Sequence, residues 1–399
     1  MLAVPTLAQC PSELKKYTTG FKGFDSRAFS FLDDALTNVR LVGYGEDTHG
    51  TAEFTLLAEK LMAYLSDTHG FTAFIIETGF GEGQYLNDYV QGKRDDLGVI
   101  LDDHNSTWRY RTQEFHQLMK WLRAHNQNHS QKIHVYGSEM QFVISDINRL
   151  KTYLISVDSD FELTGFEKHL WQEISDSEKI AYFTVYMNLK KHFIDNSETF
   201  RQKTSDREFE LAYHHVDVLG QFVTAVNQSV EQRKHDFRDI YISENIQWAL
   251  DFHGDQTKGL YWAHNAHVGD WVSNGIVDVA GHQLRKLYGN AYFNIATDFG
   301  TGAYLAFSRD WKMDTFGHDT VLEDTFSACL KNNGEPNAFI NFRAARDEDR
   351  LTAFFDSDLI TMSGAGAQVR TRKTESNGMA SAFDGVLYLD RTTPITVTE

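Results

Sequence analysis

Residues 41–50 read LVGYGEDTHG, an apolar run that breaks abruptly into Glu46, Asp47 and His49. Arg40–Gly45 reads as a short buried strand, so Glu46 and His49 stand three residues apart at its C-terminal end. Carboxylate and imidazole groups are costly to desolvate in such a place. In open α/β sheets, that edge is also where sites are usually built. Two later segments repeat the design. FTAFIIE (71–77) is a strand-like run ending on Glu77, and GLYWA (259–263) runs directly into His264 and, three residues on, His267. If these strands are parallel neighbours, Glu46, His49, Glu77, His264 and His267 converge on one cleft.

Working outward, EFTLLAEKLMAYLSD (53–67) carries apolar residues at 54, 57, 61, 64 and 65, the spacing of an amphipathic helix. Phe115–His125 reads as a second helix and KIHVYG (132–137) as a third strand. Strand–helix–strand at this spacing implies βαβ units and a parallel sheet with both faces covered. From Asp146 to His253 strand-like runs vanish, and long helical patterns such as SEKIAYFTVYMNLKKHFI take over. Strand character returns at GLYWA and near Tyr292–Thr297, Tyr304–Phe307, Ala338–Phe342 and Val386–Leu389, with helices near His282–Tyr288 and Val321–Lys331. The four prolines are at 5, 11, 336 and 394, which permits long helices throughout 12–335. The expected fold is α/β, a central mostly parallel sheet flanked by helices with a large all-helical insertion. Its expected division is a leader (1–25), a first part of the α/β core (26–145), the helical insertion (146–253) as a lid candidate, and a second part of the core (254–399). The run RTRKTESNG (370–378) reads as an exposed loop.

Composition narrows the function. Among 399 residues, 41% hydrophobic and 24% charged content is that of a folded globular chain. A net charge of −18 argues against a general nucleic-acid binder, which needs a basic face to displace counterions. No apolar stretch is long enough for a membrane span. Cys10 and Cys329 are too few for a disulfide framework or a Cys-based zinc site. The apolar N-terminus MLAVPTLAQC lacks a basic n-region, so a cytoplasmic location is expected, with export the alternative. No nucleophile elbow, HExxH helix or Walker A loop occurs, and GFGEGQ (79–84) has the wrong spacing for a dinucleotide fingerprint.

Two carboxylates beside several imidazoles support general-base activation of water. Three His and two Glu would equally suit Zn²⁺, Mn²⁺ or Fe²⁺ with metal-bound water as nucleophile. Spacing leaves both open: no cofactor is required, and a divalent metal is not excluded.

At GEDTHGTAEF (45–54), HGFTAFIIETGFGEGQYLNDYV (69–90) and WAHNAHVG (262–269) the chain resembles the erythromycin esterase family. Weaker similarity continues through HVYGSEMQ (134–141), RDIYISENIQWAL (238–250), GHQLRKLYGNAYFNIATDFGTGAY (281–304) and AFDGVLYLD (382–390). The resemblance implies an α/β core with a helical insertion, and a hydrolase that opens the macrolactone ester of 14-membered macrolides such as erythromycin, conferring resistance. It implies a base at His49, supporting acids at Glu46 and Glu77, and further histidines at His264 and His267. Water would attack the lactone carbonyl without an acyl-enzyme. The implied partner is a small-molecule macrolide, with no nucleic acid or membrane involved, and no oligomeric state is specified. The negative chain modestly favours such a drug's protonated amino sugar. Two departures stand out. A family Arg nine residues after the base falls on Ala58, so an oxyanion donor would have to come from Arg109, Arg111 or a His. A GFDMQ-like segment reads GSEMQ here, with Glu139 in place of Asp. The alternative is a related ester or metal-dependent hydrolase acting on a non-macrolide substrate. A non-catalytic binding protein is a third reading, against which the full set of acids and His argues.

Overall fold

The computed structural model describes residues 11–24, 26–102, 108–229, 231–273, 277–323, 325–331, 335–357, 359–369 and 378–398. Cys10, the first ten residues of the expected leader and most of the 370–378 run lie outside them. Its strands, in chain order, are β1 (Thr18–Gly20), β2 (Leu41–Glu46), β3 (Ala73–Gly79), β4 (His134–Glu139) and β5 (Gly259–His264). A short ribbon, β6 (Val272–Ser273) and β7 (Val277–Asp278), is followed by β8 (Tyr292–Phe307), β9 (Met313–His318), β10 (Asn337–Asn341) and β11 (Gly385–Thr392). The fold is α/β, with a central mostly parallel sheet flanked by helices. Every residue of β2, β3 and β5 is buried, which is why these strands read as unbroken apolar runs and not as alternating ones.

The chain forms two compact units. The first comprises Met1–Ile75, Trp108–His134 and Leu250–Glu399. In it β11, β8, β2 and β5 lie in parallel, and β10 and β1 extend the β11 edge in antiparallel fashion. The register pairs Leu41 with Gly259 and Glu46 with His264, so β2 and β5 end level with each other. The two strands expected at Tyr292–Thr297 and Tyr304–Phe307 are one strand. Its first half is fully buried, whereas its second half projects as a half-exposed ribbon paired with β9. That change of burial at Thr301 makes it look like two elements in sequence.

The second unit comprises Ile76–Thr107 and Val135–Ala249. It holds the end of β3, most of β4, and the helices Phe80–Val90, Leu97–Asp102, Ile144–Val157, Asp176–Asp195, Ser197–Lys203 and Asp206–Val226, with nearly all of Glu231–Asp251. No strand interrupts the described residues between 144 and 251. The helix Phe80–Val90 was not expected, because Gly81 and Gly83 argue against a helix interior. Both glycines have a packing reason. A Cβ on Gly83 would fall 1.9 Å from the Gly137 nitrogen, so the helix sits backbone-to-backbone on β4.

Within this unit His214 is fully enclosed, stacked on Trp248 at 3.9 Å with Phe80 edge-on at 4.6 Å. Burial, and then the neighbouring His215, hold its pKa well below the ordinary imidazole value. His215 is pushed down to about 3 by burial, while burial pushes its partner Asp146, 2.7 Å away, upward. The His215 and Asp146 shifts run in opposite directions, so their contributions to the pH dependence of stability oppose each other. His214 is different: below about 6.5 the unfolded chain binds a proton that the native state refuses. Stability should fall with pH, by up to about 1.4 kcal/mol per unit for this one group. Urea titrations from pH 7 to 5 should show a shallower slope in His214→Phe than in the parent; parallel slopes would refute the assignment.

Candidate active site

The β2 end delivers Glu46 and His49 as expected. Glu46 is the last strand residue, and the chain then turns so that His49 folds back on it, with His49 Nδ1 2.6 Å from Glu46 Oε1. A Cβ on Gly45 would fall 2.3 Å from Asn265 Oδ1, so only glycine lets the segment after β5 press this closely on the strand end. Glu46 is held from three sides. Trp262 on β5 donates its indole N–H to Oε2 at 2.9 Å, and Arg109 donates to Oε1 at 3.0 Å. These two donors, with His49 Nδ1 on the third side, hold a carboxylate that is 2% exposed in a fixed orientation. In the tautomer that donates Nδ1–H to Glu46, His49 carries its basic lone pair on Nε2; in the other, Nδ1 accepts from Arg109.

Arg109 comes from the short helical turn Trp108–Tyr110. Its Nη1 lies 2.6 Å from His49 Nδ1 and 3.3 Å from Nε2, while Nη2 donates to the Tyr110 hydroxyl at 2.8 Å. The guanidinium thus lies along the edge of the imidazole. Arg111 is half-buried two residues on, its carbonyl accepting from the Thr398 N–H. His264, the last residue of β5, caps the helical turn Asn265–Val268: its Nδ1 accepts from the Ala266 N–H at 3.1 Å. Its Nε2 therefore carries the proton and donates to the Asp47 carbonyl at 3.2 Å. The ring stands edge-on to His49 with centroids 5.3 Å apart. His267 sits half-buried on that same turn.

Asp47 is buried and binds the backbone that walls the site. Its carboxylate accepts from the Ser363 and Gly364 N–H groups at 3.1 and 2.9 Å. The Met362 N–H donates to Asp298, whose pKa is raised by burial and then by Asp47. His49 N–H donates to the Ala365 carbonyl, and a Cβ on Gly366 would lie only 3.6 Å from His49 Nε2. These bonds fix residues 362–366 beside the base.

Glu77 belongs to the second unit. There Arg238, on the helix Glu231–Asp251, donates Nη2–H to Glu77 Oε1 at 2.8 Å and also to Glu139 Oε1. Its Nε–H reaches Glu139 Oε2 at 3.1 Å. All three residues are buried. Burial works against the guanidinium charge, but Glu139 and Glu77 outweigh it and hold the Arg238 pKa above its ordinary value.

The erythromycin esterase model matches residues 67–392, most of the chain. The protein belongs to the erythromycin esterase family. Membership makes it, at family level, a hydrolase of the esterase kind. It is 22% identical to an erythromycin esterase type II from Escherichia coli, over 91% of this chain and 92% of that protein. It is likewise 22% identical to an erythromycin esterase type I from Escherichia coli, over 61% and 65% of the two. Two solved structures share its fold at a TM-score of 0.82. One is a Bacillus cereus protein (20% identity, 97% and 98% of the chains), the other described as a succinoglycan biosynthesis protein (18%, 97% and 97%). A solved erythromycin esterase mutant in its open conformation aligns at a TM-score of 0.68 (14% identity, 94% and 98%).

Sequence reasoning did not assign roles in this esterase-family chain to Trp262, Asp47, residues 362–366 or Arg238. Trp262 had a signal, an indole one residue inside a strand that ends on a paired position. Residues 362–366 had none, because they contribute backbone N–H and C=O groups whose identity the side chains do not report.

Proposed function

We propose that the protein opens the macrolactone ring of 14-membered macrolides such as erythromycin by water attack, and so protects a cell against the drug. The observation that carries this reading is the 2.6 Å His49–Glu46 contact beside Arg109. His49 Nε2 takes a proton from water as it attacks the ester carbonyl, and Glu46 stabilises the imidazolium that forms. The protonated Nε2 then returns the proton to the departing alkoxide, which leaves a hydroxy acid. Arg109, 3.3 Å from Nε2, supplies the positive edge for the developing oxyanion, the task left open by Ala58. His264, edge-on to His49, positions the Asp47 turn, and His267 on the following helical turn is assigned to substrate contact. Glu77 acts through Arg238 as part of a buried charge triad, and the site is proposed to work in the cytoplasm.

A related ester hydrolase with a different substrate is the second reading, favoured by one observation. Ala58 is 0% exposed, and nearby Lys60 is paired with Glu59 at 2.5 Å, so this helix offers no cation in the place of the family Arg. A binding pocket whose cation comes from residue 109 has a different shape. Incubation with erythromycin and a panel of macrolides of other ring sizes, followed by mass spectrometry, separates the two. We expect a gain of one water mass on 14-membered rings, and unchanged turnover after chelation. No such gain at any pH from 6 to 9 would refute the macrolide reading; turnover restored only by metal add-back would refute the metal-free step.

A further inference from the structure

A second group of donors lies in the first unit, where helices lead into strands. His125 occupies the last turn of the helix Gln113–Asn128, and His129 is its C-cap residue. Asp67 is exposed near the end of the helix Ala52–His69. One ligand atom from each of these residues lies within 4.8 Å of the other two, and this is the single such group among the described residues. The two imidazoles stack with centroids 4.0 Å apart and planes 8° from parallel. His129 donates Nδ1–H to the His125 carbonyl at 2.9 Å. This fixes its tautomer and presents the Nε2 lone pair outward, as the outer-shell carbonyl of a metal-bound His does. His125 is 7% exposed, with the Ser66 hydroxyl 3.5 Å from its Nε2.

We propose that Asp67, His125 and His129 form a Zn²⁺ site. Two imidazoles and one carboxylate, with water in the fourth position, make a tetrahedral N/O donor set that suits zinc. Because an ion must lie in the plane of each ligating ring, closing the group on it requires the exposed His129 ring to turn out of the stack, while the exposed Asp67 carboxylate reorients toward it. The charges facing the site are the Asp67 carboxylate and, against it, the Lys132 ammonium. Lys132 donates to the Asn126 and His129 carbonyls, the latter at 2.7 Å. Lys132→Gln should therefore tighten zinc binding.

The place of the site indicates its task. The Ala52–His69 helix leads through Gly70 into β3, and the Gln113–Asn128 helix is tied to the residue before β4 by Asn126, which exchanges two hydrogen bonds with Ile133. A metal here clamps two helix ends at the N-terminal edge of the sheet, about 20 Å, one strand length, from the strand ends that carry His49. Its effect falls on stability and not on the chemical step, because a ligand that binds only the native state raises the melting temperature.

The test uses the full-length, tag-free protein, stripped with chelator and titrated with Zn²⁺ by calorimetry, with melting temperature as a second readout. We expect one equivalent whose affinity falls at least tenfold in His129→Gln and in Asp67→Asn, and is unchanged in His49→Ala. Zinc should raise the melting temperature of the parent by several degrees and leave both site variants where they are. Both substitutions are at exposed positions, so the stripped variants should melt with the stripped parent. The proposal is overturned if the stripped parent takes up no zinc, or if both site variants keep the parent's isotherm.

Discussion

Replacing His49 by alanine is expected to lower kcat for lactone opening about 10³-fold, with KM and melting temperature close to those of the parent. The expectation rests on what stays behind. Glu46 keeps the Trp262 indole at 2.9 Å and the Arg109 guanidinium at 3.0 Å, so no buried carboxylate is orphaned. The ring is 10% exposed at the mouth of the cluster, which limits the packing lost. Only the proton acceptor disappears. Glu46→Gln provides the contrast: it keeps the shape but removes the charge, leaving the imidazolium unsupported and Arg109 without this counter-ion. It should therefore lose both rate and stability. Steady-state kinetics on a macrolide that shows the water gain, with thermal melts of both variants, would decide the matter. A His49→Ala enzyme within tenfold of parental kcat would remove the residue from the mechanism.

The fold and the site were unequally legible in the sequence. Buried parallel strands announce themselves because both faces are covered, which is why LVGYGE, FIIETG and GLYWAH stood out and their strand ends were placed within a residue or two. Paired ends follow from topology, and the Glu46–His264 register makes that concrete. Arg109 was readable only as one cation among several, since nothing in TWRYRT distinguishes an arginine aimed at a base from one lying on the surface. Asp47 binds backbone N–H groups more than 300 residues away, a long-range pairing no local pattern encodes. The helix over 80–90 was hidden because its glycines serve tertiary packing against the local propensity. Arg238 was hidden for a further reason: on a charged helical pattern a buried arginine and a solvated one look alike.

Arg238 also carries the largest expected effect on stability. Arg238→Ala should cost about 3–5 kcal/mol, because removing one partner of a buried ion cluster strands the others. Here two carboxylates would be stranded, Glu77 and Glu139, in a region where all three side chains are buried. For a unit of this size that corresponds to a fall in melting temperature of roughly 10 °C. Arg238→Lys should recover only part of the loss, since an ammonium cannot reproduce the fork that reaches Glu77 and both oxygens of Glu139. The informative variant combines Arg238→Met with Glu77→Gln and Glu139→Gln. If the cost lies in unpaired charge, this triple variant should melt closer to the parent than Arg238→Ala does, despite carrying two more substitutions, because neutral amides are cheaper to bury than ionised carboxylates. If the cost lies instead in lost packing, the triple variant should melt no higher than Arg238→Ala. A melting temperature for Arg238→Ala within about 2 °C of the parent would show that the triad is solvated in solution, and would remove the support it is proposed to give Glu77.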